Sequence, residues 1–167
     1  SVNDINDESP IFTSLSSFSV NENQTAVGSI SATDADANDT ISYTITAGAD
    51  SDSLKINNEN GLLEFKTAPD FEAQSSFSIE ITASDAADNS SKQNVSVNII
   101  DINDIAPVFT SANAFSVAEG GTAVATLTGS DAEGDSVSFS STLAGTDAAD
   151  FALSSSGALT FAATPNF

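Results

Sequence analysis

The chain has 167 residues with no cysteine, histidine, methionine, arginine or tryptophan, and its formal net charge is −21. With only three lysines to neutralise phosphates, nucleic acid is disfavoured as a partner, and without histidine or cysteine so are zinc, copper and non-haem iron. No apolar run approaches the ~18 residues of a membrane span, no signal peptide is visible, and the missing methionine leads us to expect a fragment of a longer protein.

Apolar and polar residues alternate along most of the first 100 residues, with a period of two. The alternation forms seven strand-like runs, at residues 18–20, 25–33, 41–45, 54–56, 62–65, 77–81 and 95–99. Short acidic or glycine-containing turns separate them, among them Asn60-Gly61, a strong turn signal. No helical period of 3.6 residues interrupts the pattern. The sequence therefore predicts an all-β protein.

One nine-residue phrase occurs twice. Residues 101–109 (DINDIAPVF) repeat residues 4–12 (DINDESPIF) at an offset of 101 − 4 = 97 residues. This period fits a seven-stranded antiparallel sandwich of about 100 residues. Later segments match too, including Phe115-Ser116-Val117 with Phe18-Ser19-Val20. We therefore predict a full repeat at residues 1–104, with an N-terminal linker at 1–9, and a partial repeat at 105–167 that ends after about five strands.

Two acidic runs, at residues 34–39 and 131–136, open with the spacing of an EF-hand calcium loop. Neither run has the glycine that such a loop needs at its sixth position or the glutamate that it needs at its twelfth. A cation bound by either run would therefore need ligands from distant parts of the chain. Oxygen is the ligand atom available, which favours a hard cation.

Five short motifs occur in a fixed order. They are the DINDxxPxF joint, which occurs twice, Glu22 after the first strand, Asp34-x-Asp36, Asp70-Phe71-Glu72 and Ala83-Ser84-Asp85. In this order and spacing they resemble the cadherin repeat family, most closely the cadherin-like repeats of large bacterial surface proteins. Phe71 stands where the family has arginine. The resemblance implies tandem Ig-like Greek-key sandwiches with seven strands per repeat, and three calcium ions between consecutive domains.

The resemblance also implies two sets of Ca²⁺ ligands. The joint at residues 101–104 would use Glu22, Asp70, Glu72, Asp101, the Ile102 carbonyl, Asn103, Asp104, Asp131 and Glu133. The first joint would use Asp4, Asn6, Asp34, Asp36 and Asp85, and we expect it to hold one ion near the domain tip. Seven carboxylates at the second joint would repel one another without cations, which favours metal binding there. Glutamate at position 133 replaces the family's aspartate, which puts the geometry of one ion in doubt.

The predicted function is a calcium-binding repeat module of an extracellular, cell-surface or secreted adhesion protein, made rigid by Ca²⁺ at the linker. Its partners would be neighbouring repeats of the same chain, a cell-surface protein or polysaccharide, or a second copy in a homophilic contact. An enzyme is disfavoured because histidine and cysteine are absent. Two alternatives remain open: a carbohydrate- or protein-binding module of a secreted protein, and a self-assembling surface filament subunit.

Overall fold

The computed structural model describes residues 5–36, 39–140 and 142–165, and it divides into two compact units, Ser1–Ile102 and Asn103–Phe167. Strands supply nearly all of the regular structure. In the described part of the chain the helical structure is one three-residue 3₁₀-helix, Ala148–Asp150. The predicted all-β class is therefore confirmed. The predicted repeat boundaries, 1–104 and 105–167, stay a prediction.

The first unit is built from strands in two larger sheets and one small one. Its strands are β1 (Ile11–Phe12), β2 (Ser17–Asn21), β3 (Ala26–Ser29), β4 (Ala32–Thr33), β5 (Ser42–Ala47), β6 (Leu54–Ile56), β7 (Leu62–Phe65), β8 (Ser76–Ser84) and β9 (Ser90–Ile100). One sheet has the order β2-β9-β8-β5 and the other β3-β7-β6, while β1 pairs with β4. Strand β2 runs parallel to β9, and the other neighbours are antiparallel.

The described residues of this unit form nine strand segments where the sequence indicated seven runs. The predicted run at residues 25–33 changes partner midway, because β3 pairs with β7 whereas β4 pairs with β1. Ile30 lies at the change, buried, and its N–H donates to the Gly61 carbonyl oxygen at 2.9 Å. The ninth segment is β1, which precedes the first predicted run.

The core lies between the two larger sheets and follows the alternation of the sequence. Four side chains of β8 (Phe77, Ile79, Ile81 and Ala83) and three of β9 (Val95, Val97 and Ile99) are buried. They face Leu54, Leu63 and Phe65 of the opposite sheet. The Phe65 and Phe77 rings meet edge to face, with centroids 4.9 Å apart, a favourable aromatic geometry. Alternating burial of this kind is expected of strands with one solvated face.

The second unit repeats part of this arrangement. Its strands are β10 (Val108–Phe109), β11 (Ala123–Thr126), β12 (Gly129–Ser130), β13 (Phe151–Leu153) and β14 (Ala158–Phe161), paired as β10-β12 and β11-β14-β13. The bulge between Ala123 and Ala125 in the β11–β14 pair has its counterpart between Ala26 and Gly28 in the β3–β7 pair. The internal repeat of the sequence therefore extends to an irregularity of strand pairing.

Two glycines make the same turn in the two units. Gly61 has φ +69° and Gly157 has φ +87°. A β-carbon at Gly61 would lie 2.0 Å from the Ile30 carbonyl oxygen, and one at Gly157 would lie 2.3 Å from that of Leu127. Both positions therefore require glycine on two counts, the left-handed backbone and the close approach of a neighbouring strand.

The two units differ in how they cover their apolar side chains. Among the described residues of the second unit only Gly157 is buried. The large apolar side chains there are half-buried or exposed. A groove of about 390 Å³ opens between its strands, lined by Phe115, Val117, Val124, Phe151, Leu159, Phe161 and Pro165. The second unit therefore leaves apolar side chains partly exposed, whereas the first unit buries such side chains in its core.

Candidate metal centre

The tip of the first unit, formed by residues 6–8, 34–36, 39–40 and 85–89, gathers acidic residues from four segments. Asp34 follows β4, Asp39 precedes β5 and Asp85 follows β8. Because β5 pairs antiparallel with β8, with Ser42 opposite Ser84, the start of β5 and the end of β8 lie together, and Asp34 lies beside them. Strand topology thus brings together residues that are distant in sequence.

Three carboxylates meet at this tip. Asp34, Asp39 and Asp85 each place a carboxylate oxygen within 4.8 Å of the other two. Asp85 is 6% exposed. The Oδ2 atom of Asp34 is buried and has no hydrogen-bond partner among the described residues. An orphaned buried carboxylate oxygen is costly unless a cation or donor satisfies it. These residues fit a hard cation such as Ca²⁺, which takes oxygen ligands.

Backbone amides fix the three carboxylates in place. The Oδ1 atom of Asp85 accepts the N–H groups of Ala87 and Asn89, both at 2.8 Å. Asp34 Oδ1 accepts the N–H of Asp36 at 2.9 Å, and Asp39 Oδ1 accepts those of Thr40 and Ala86 at 2.7 and 3.3 Å. Such bonds from Asp to nearby amides are usual in turns. Side-chain amides of Asn6 and Asn89 donate to the second oxygens of Asp39 and Asp85.

Asp36 and Asn6, both predicted as ligands, are tied to this tip in different ways. Asp36 Oδ2 accepts the N–H groups of Asp7 and Glu8 at 3.1 and 2.9 Å, so it holds the first linker against the unit. The side-chain amide of Asn6 donates to Asp39 Oδ2 at 2.9 Å. Asp4, the remaining predicted ligand here, lies outside the described residues.

The sequence reasoning did not assign Asp39 and Asn89 to the site. Asn89 Nδ2 donates to Asp85 Oδ2 at 2.7 Å and to the two oxygens of Asn6 at 3.3 and 3.4 Å. The signal for Asp39 in the sequence is its place at the end of an acidic run, and that run does not fit the EF-hand pattern. For Asn89 the sequence offered a polar turn and no stronger indication.

A second group of predicted ligands lies at the base of the first unit, formed by Glu22, residues 70–72 and residues 101–102. Glu22 is 1% exposed. Its Oε2 accepts the N–H of Phe71 at 3.0 Å, and its Oε1 accepts that of Ile102 at 2.8 Å. Hydrogen bonds to an ionised acceptor are stronger than those between neutral groups. Glu22 therefore fastens both the 70–72 turn and the start of the linker to the end of β2.

Glu72 is the carboxylate at this base whose ionisation is disfavoured. Desolvation raises the pKa of Glu72 above its ordinary value. A hydrogen bond with Asp70 and the negative charges of Glu22 and Asp101 act in the same direction, while a backbone hydrogen bond opposes them. The base of the first unit thus brings predicted carboxylate ligands close enough to perturb one another.

The tip of the second unit, residues 103–105 and 131–135, repeats the linker contact with a longer acid. Glu133 Oε1 accepts the N–H of Asp104 at 2.8 Å and its Oε2 accepts that of Ile105 at 3.0 Å. Asp131 Oδ1 accepts the N–H of Glu133 at 3.0 Å, and Asn103 Nδ2 donates to Asp135 Oδ2. Glu133 therefore keeps, with two oxygens, the pair of backbone contacts that Asp36 makes with one.

The ligands predicted for the joint thus fall into two groups, each described within its own unit. The base of the first unit, which ends at Ile102, holds Glu22, Asp70, Glu72 and Asp101. Asn103, Asp104, Asp131 and Glu133 lie at the tip of the second. That one calcium cluster draws on both groups stays a prediction.

A family model described as the cadherin domain matches residues 16–100. The chain belongs to the cadherin domain family. It is 31% identical over 142 residues to the protocadherin-like wing polarity protein stan of Drosophila melanogaster, covering 79% of this chain and 4% of that protein. It is 34% identical over 115 residues to human protocadherin-11 X-linked, covering 65% of this chain and 8% of that one. The chain therefore spans less than a tenth of either relative.

Solved structures of cadherins have the same fold. The EC22-24 fragment of mouse cadherin-23 superimposes with a TM-score of 0.68 at 24% identity, covering 98% of this chain and 57% of that chain. Protocadherin gammaB7 EC3-6, solved as a cis dimer, gives a TM-score of 0.74 at 25% identity, covering 98% and 46%. The predicted cadherin-type sandwich is therefore confirmed.

Family membership supports the coarse functional prediction. Cadherin domains are extracellular adhesion-type repeat modules, the family is not enzymatic, and its members characteristically bind Ca²⁺. Throughout the described ranges no helix has the length and apolar character needed to cross a bilayer. The relatives reported above are animal proteins, so the resemblance to bacterial surface repeats stays a prediction.

Proposed function

We propose that this chain is a calcium-binding tandem-repeat module of a cell-surface or secreted adhesion protein, in which Ca²⁺ at the 101–104 linker makes the array rigid. The observation that carries the proposal is geometric: the Phe71 and Ile102 N–H groups both donate to Glu22, which holds the 70–72 turn and the start of the linker together at the base of the first unit. Glu72 has a raised pKa, with desolvation and the charges of Glu22 and Asp101 among its causes. A bound divalent cation would turn this repulsion into attraction.

The linker contacts supply the second argument. The linker's first half is fastened to the first unit, because Glu22 accepts the N–H of Ile102. Its second half is fastened to the second unit, because Glu133 accepts the N–H groups of Asp104 and Ile105. Under the proposal, calcium bound by both ligand groups removes the freedom that remains between these two attachments.

Calcium binding to the folded joint alone would raise its stability by linkage. The gain is about 2.7 kcal/mol per ion at a hundredfold excess over the dissociation constant. We expect a higher melting temperature in millimolar calcium than in chelator. We also expect small-angle scattering to give a narrower distribution of lengths with calcium, since a rigid joint samples fewer angles.

A matched pair of variants separates the joint from general charge effects. Glu72→Gln removes one predicted ligand, so it should lose much of the calcium-dependent gain in melting temperature. Glu119→Gln removes the same charge from an exposed position outside both ligand groups, and it should keep that gain. An unchanged melting temperature and unchanged scattering of the wild-type chain on adding calcium would contradict the proposal.

The partners included in the proposal are neighbouring repeats of the same chain and a second copy in a homophilic contact. The first follows from the repeated linker phrase at residues 4–12 and 101–109. The second is supported by the cis dimer of protocadherin gammaB7 EC3-6. Sedimentation velocity of the full chain with and without calcium tests it: self-association that needs calcium supports a homophilic contact, and a monomer at all concentrations contradicts it.

A further inference from the structure

Two strands from opposite ends of the first unit's sequence, β2 (Ser17–Asn21) and β9 (Ser90–Ile100), are neighbours and run in the same direction. The other neighbouring strands of this unit are antiparallel. We propose that the β2–β9 pair is a mechanical clamp, which gives the first unit the further function of carrying tension along the chain without unfolding. The clamp goes beyond the proposed function, because it needs neither the 101–104 linker nor a bound cation.

The direction of the load follows from the parallel pairing. Tension on the chain pulls β2 from its start at Ser17 and pulls β9 from its end at Ile100. Because the two strands are parallel, these two points lie at opposite ends of the pair. The pull is therefore directed along the strands and slides one past the other. The bonds of a parallel ladder are evenly spaced, so they share such a load and break together.

Hydrogen bonds extend the ladder beyond both ends of β2. The N–H of Ser96 donates to the Ser16 carbonyl oxygen at 2.9 Å, and the N–H of Glu22 donates to the Ile100 carbonyl oxygen at 3.1 Å. Between these two bonds the register continues without a bulge through five residue pairs. The ladder that bears the load is therefore uninterrupted from one end of β2 to the other.

The β2–β9 ladder is the part of the force path that yields first. On its other side β9 pairs with β8 through nine residue pairs, so β9 is the more firmly held of the two strands. Val20 of β2 is buried, and Phe18 packs against the core, which keeps β2 in place beside β9. Rupture of the shorter ladder therefore sets the rate at which the first unit opens under tension.

The second unit supplies an internal contrast. Residues 115–117 correspond to residues 18–20 at the 97-residue offset, but they belong to no strand. The strand pairs in the described part of this unit are antiparallel. The clamp is therefore a feature of the first unit, and we expect the second unit to open at a lower force.

Single-molecule force measurements on the full chain test the proposal. The chain has no cysteine, so two introduced cysteines define where the force is applied. Leu15→Cys with Ile100→Cys uses positions that are 74% and 48% exposed, at opposite ends of the pair, and loads the ladder in shear. Leu15→Cys with Asn94→Cys applies the force near the start of β2, because Asn94 is exposed and lies just before Ser96. The same ladder is then peeled one bond at a time.

The ratio of unfolding rates at one constant force gives the outcome, because forced unfolding is governed by the unfolding rate. We expect the Leu15/Asn94 variant to unfold more than about tenfold faster than the Leu15/Ile100 variant, the factor that corresponds to about two hydrogen bonds broken together. Each rate is divided by the same variant's unfolding rate without force, measured in urea, so that a difference in stability does not enter the ratio. Equal corrected rates would overturn the clamp.

Calcium separates the clamp from the proposed function. The ladder consists of backbone hydrogen bonds, so the ratio between the two pulling directions should persist in chelator, whatever calcium adds to both. A ratio above one in calcium alone would assign the resistance to bound cations and overturn the clamp. The proposed calcium binding is judged by the melting temperature instead. A melting temperature that ignores calcium, with a ratio that persists, would contradict that proposal and support the clamp.

Discussion

The two units share a pattern of residues and differ in what becomes of it. Leu63 of β7 is 0% exposed, whereas its counterpart Leu159 of β14 lies half-buried in the lining of an open groove. Both strands keep the same partner pairing and the same bulge. Among the described residues, what the first unit has in addition is the sheet β2-β9-β8-β5, whose apolar side chains form the opposite wall of the core.

This difference separates two levels of structure. The pairing of strands and the turns between them recur in both units, as the bulge and the Gly61 and Gly157 turns show. Burial requires a second layer, since a sheet with one apolar face is stable only when another element covers it. The second unit therefore has the local structure of a repeat but little of its core.

The largest effect expected from this comparison concerns the paired leucines. Leu63→Ala should destabilise the first unit by about 2–5 kcal/mol, because the deletion leaves a cavity in a closed core. Leu159→Ala should cost less than about 1 kcal/mol, since its side chain is only half-buried. Amide hydrogen exchange at Phe65 and Phe161 measures each unit separately, because both amides are hydrogen-bonded in equivalent positions.

Equal costs at Leu63 and Leu159 would break the comparison. They would mean that the groove lined by Phe115, Phe151 and Phe161 is closed in solution. Ile56→Val and Leu153→Val, at half-buried positions of β6 and β13, serve as mild controls. We expect each to cost less than the Leu63 deletion.

A buried acid gives the next effect. Glu22 accepts one backbone N–H on each carboxylate oxygen. In Glu22→Gln the side-chain NH₂ group replaces one of these oxygens and faces a backbone N–H, so two hydrogen-bond donors meet. The expected loss is about 1–3 kcal/mol, the cost of leaving a buried hydrogen-bonding group unsatisfied. Urea unfolding followed by Tyr43 fluorescence measures it, because Tyr43 is the chain's one tyrosine and lies in the core.

The same substitution in the second unit supplies the contrast. Glu119 matches Glu22 in the repeat but is exposed, so Glu119→Gln should leave the stability of the second unit nearly unchanged. A comparable loss at both positions would indicate that Glu119 also has backbone partners in solution. No loss at Glu22 would argue against its role in fastening the linker to the first unit.

Much of the fold follows from the sequence because its signals are local. Alternation along residues 77–81 and 95–99 predicts strands within β8 and β9, and Asn60-Gly61 predicts the turn before β7. The parallel pairing of β2 with β9 and the exchange of partners at Ile30 could not be predicted, because neither depends on nearby residues. Local periodicity fixes which residues form strands and leaves their distant partners open.

The candidate site divides in the same way. Glu22, Asp70 and Glu72 could be assigned only through their resemblance to family motifs, since no local pattern links residues so far apart. Asp39 could not be found by either route. Its carboxylate reaches Ala86, 47 residues away, because β5 and β8 pair in a particular register. The composition of a cation site depends on that register, and the sequence alone does not specify it.

The smallest predicted effect uses the distribution of lysine, which occurs only in the first unit. Lys92 Nζ lies 2.7 Å from Glu80 Oε1 across the β8–β9 pair. The hydrogen bond from Lys92 lowers the pKa of Glu80 below its ordinary value of 4.5, with help from Thr46. Because the folded-state pKa is depressed, the pair stabilises the first unit above the ordinary value and loses this contribution as the pH falls through the lowered one.

Glu80→Gln should therefore lower the melting temperature of the first unit slightly at neutral pH and not at all at acid pH. High salt should reduce the difference, because the pair is exposed and screened. The second unit has acids and no lysine, so its amide exchange should respond to pH in the same way with and without the substitution. A melting difference that persists at acid pH would show that Glu80 contributes by packing against β9 rather than by its charge. The presence of lysine in the first unit alone would then not explain a difference in stability between the two units.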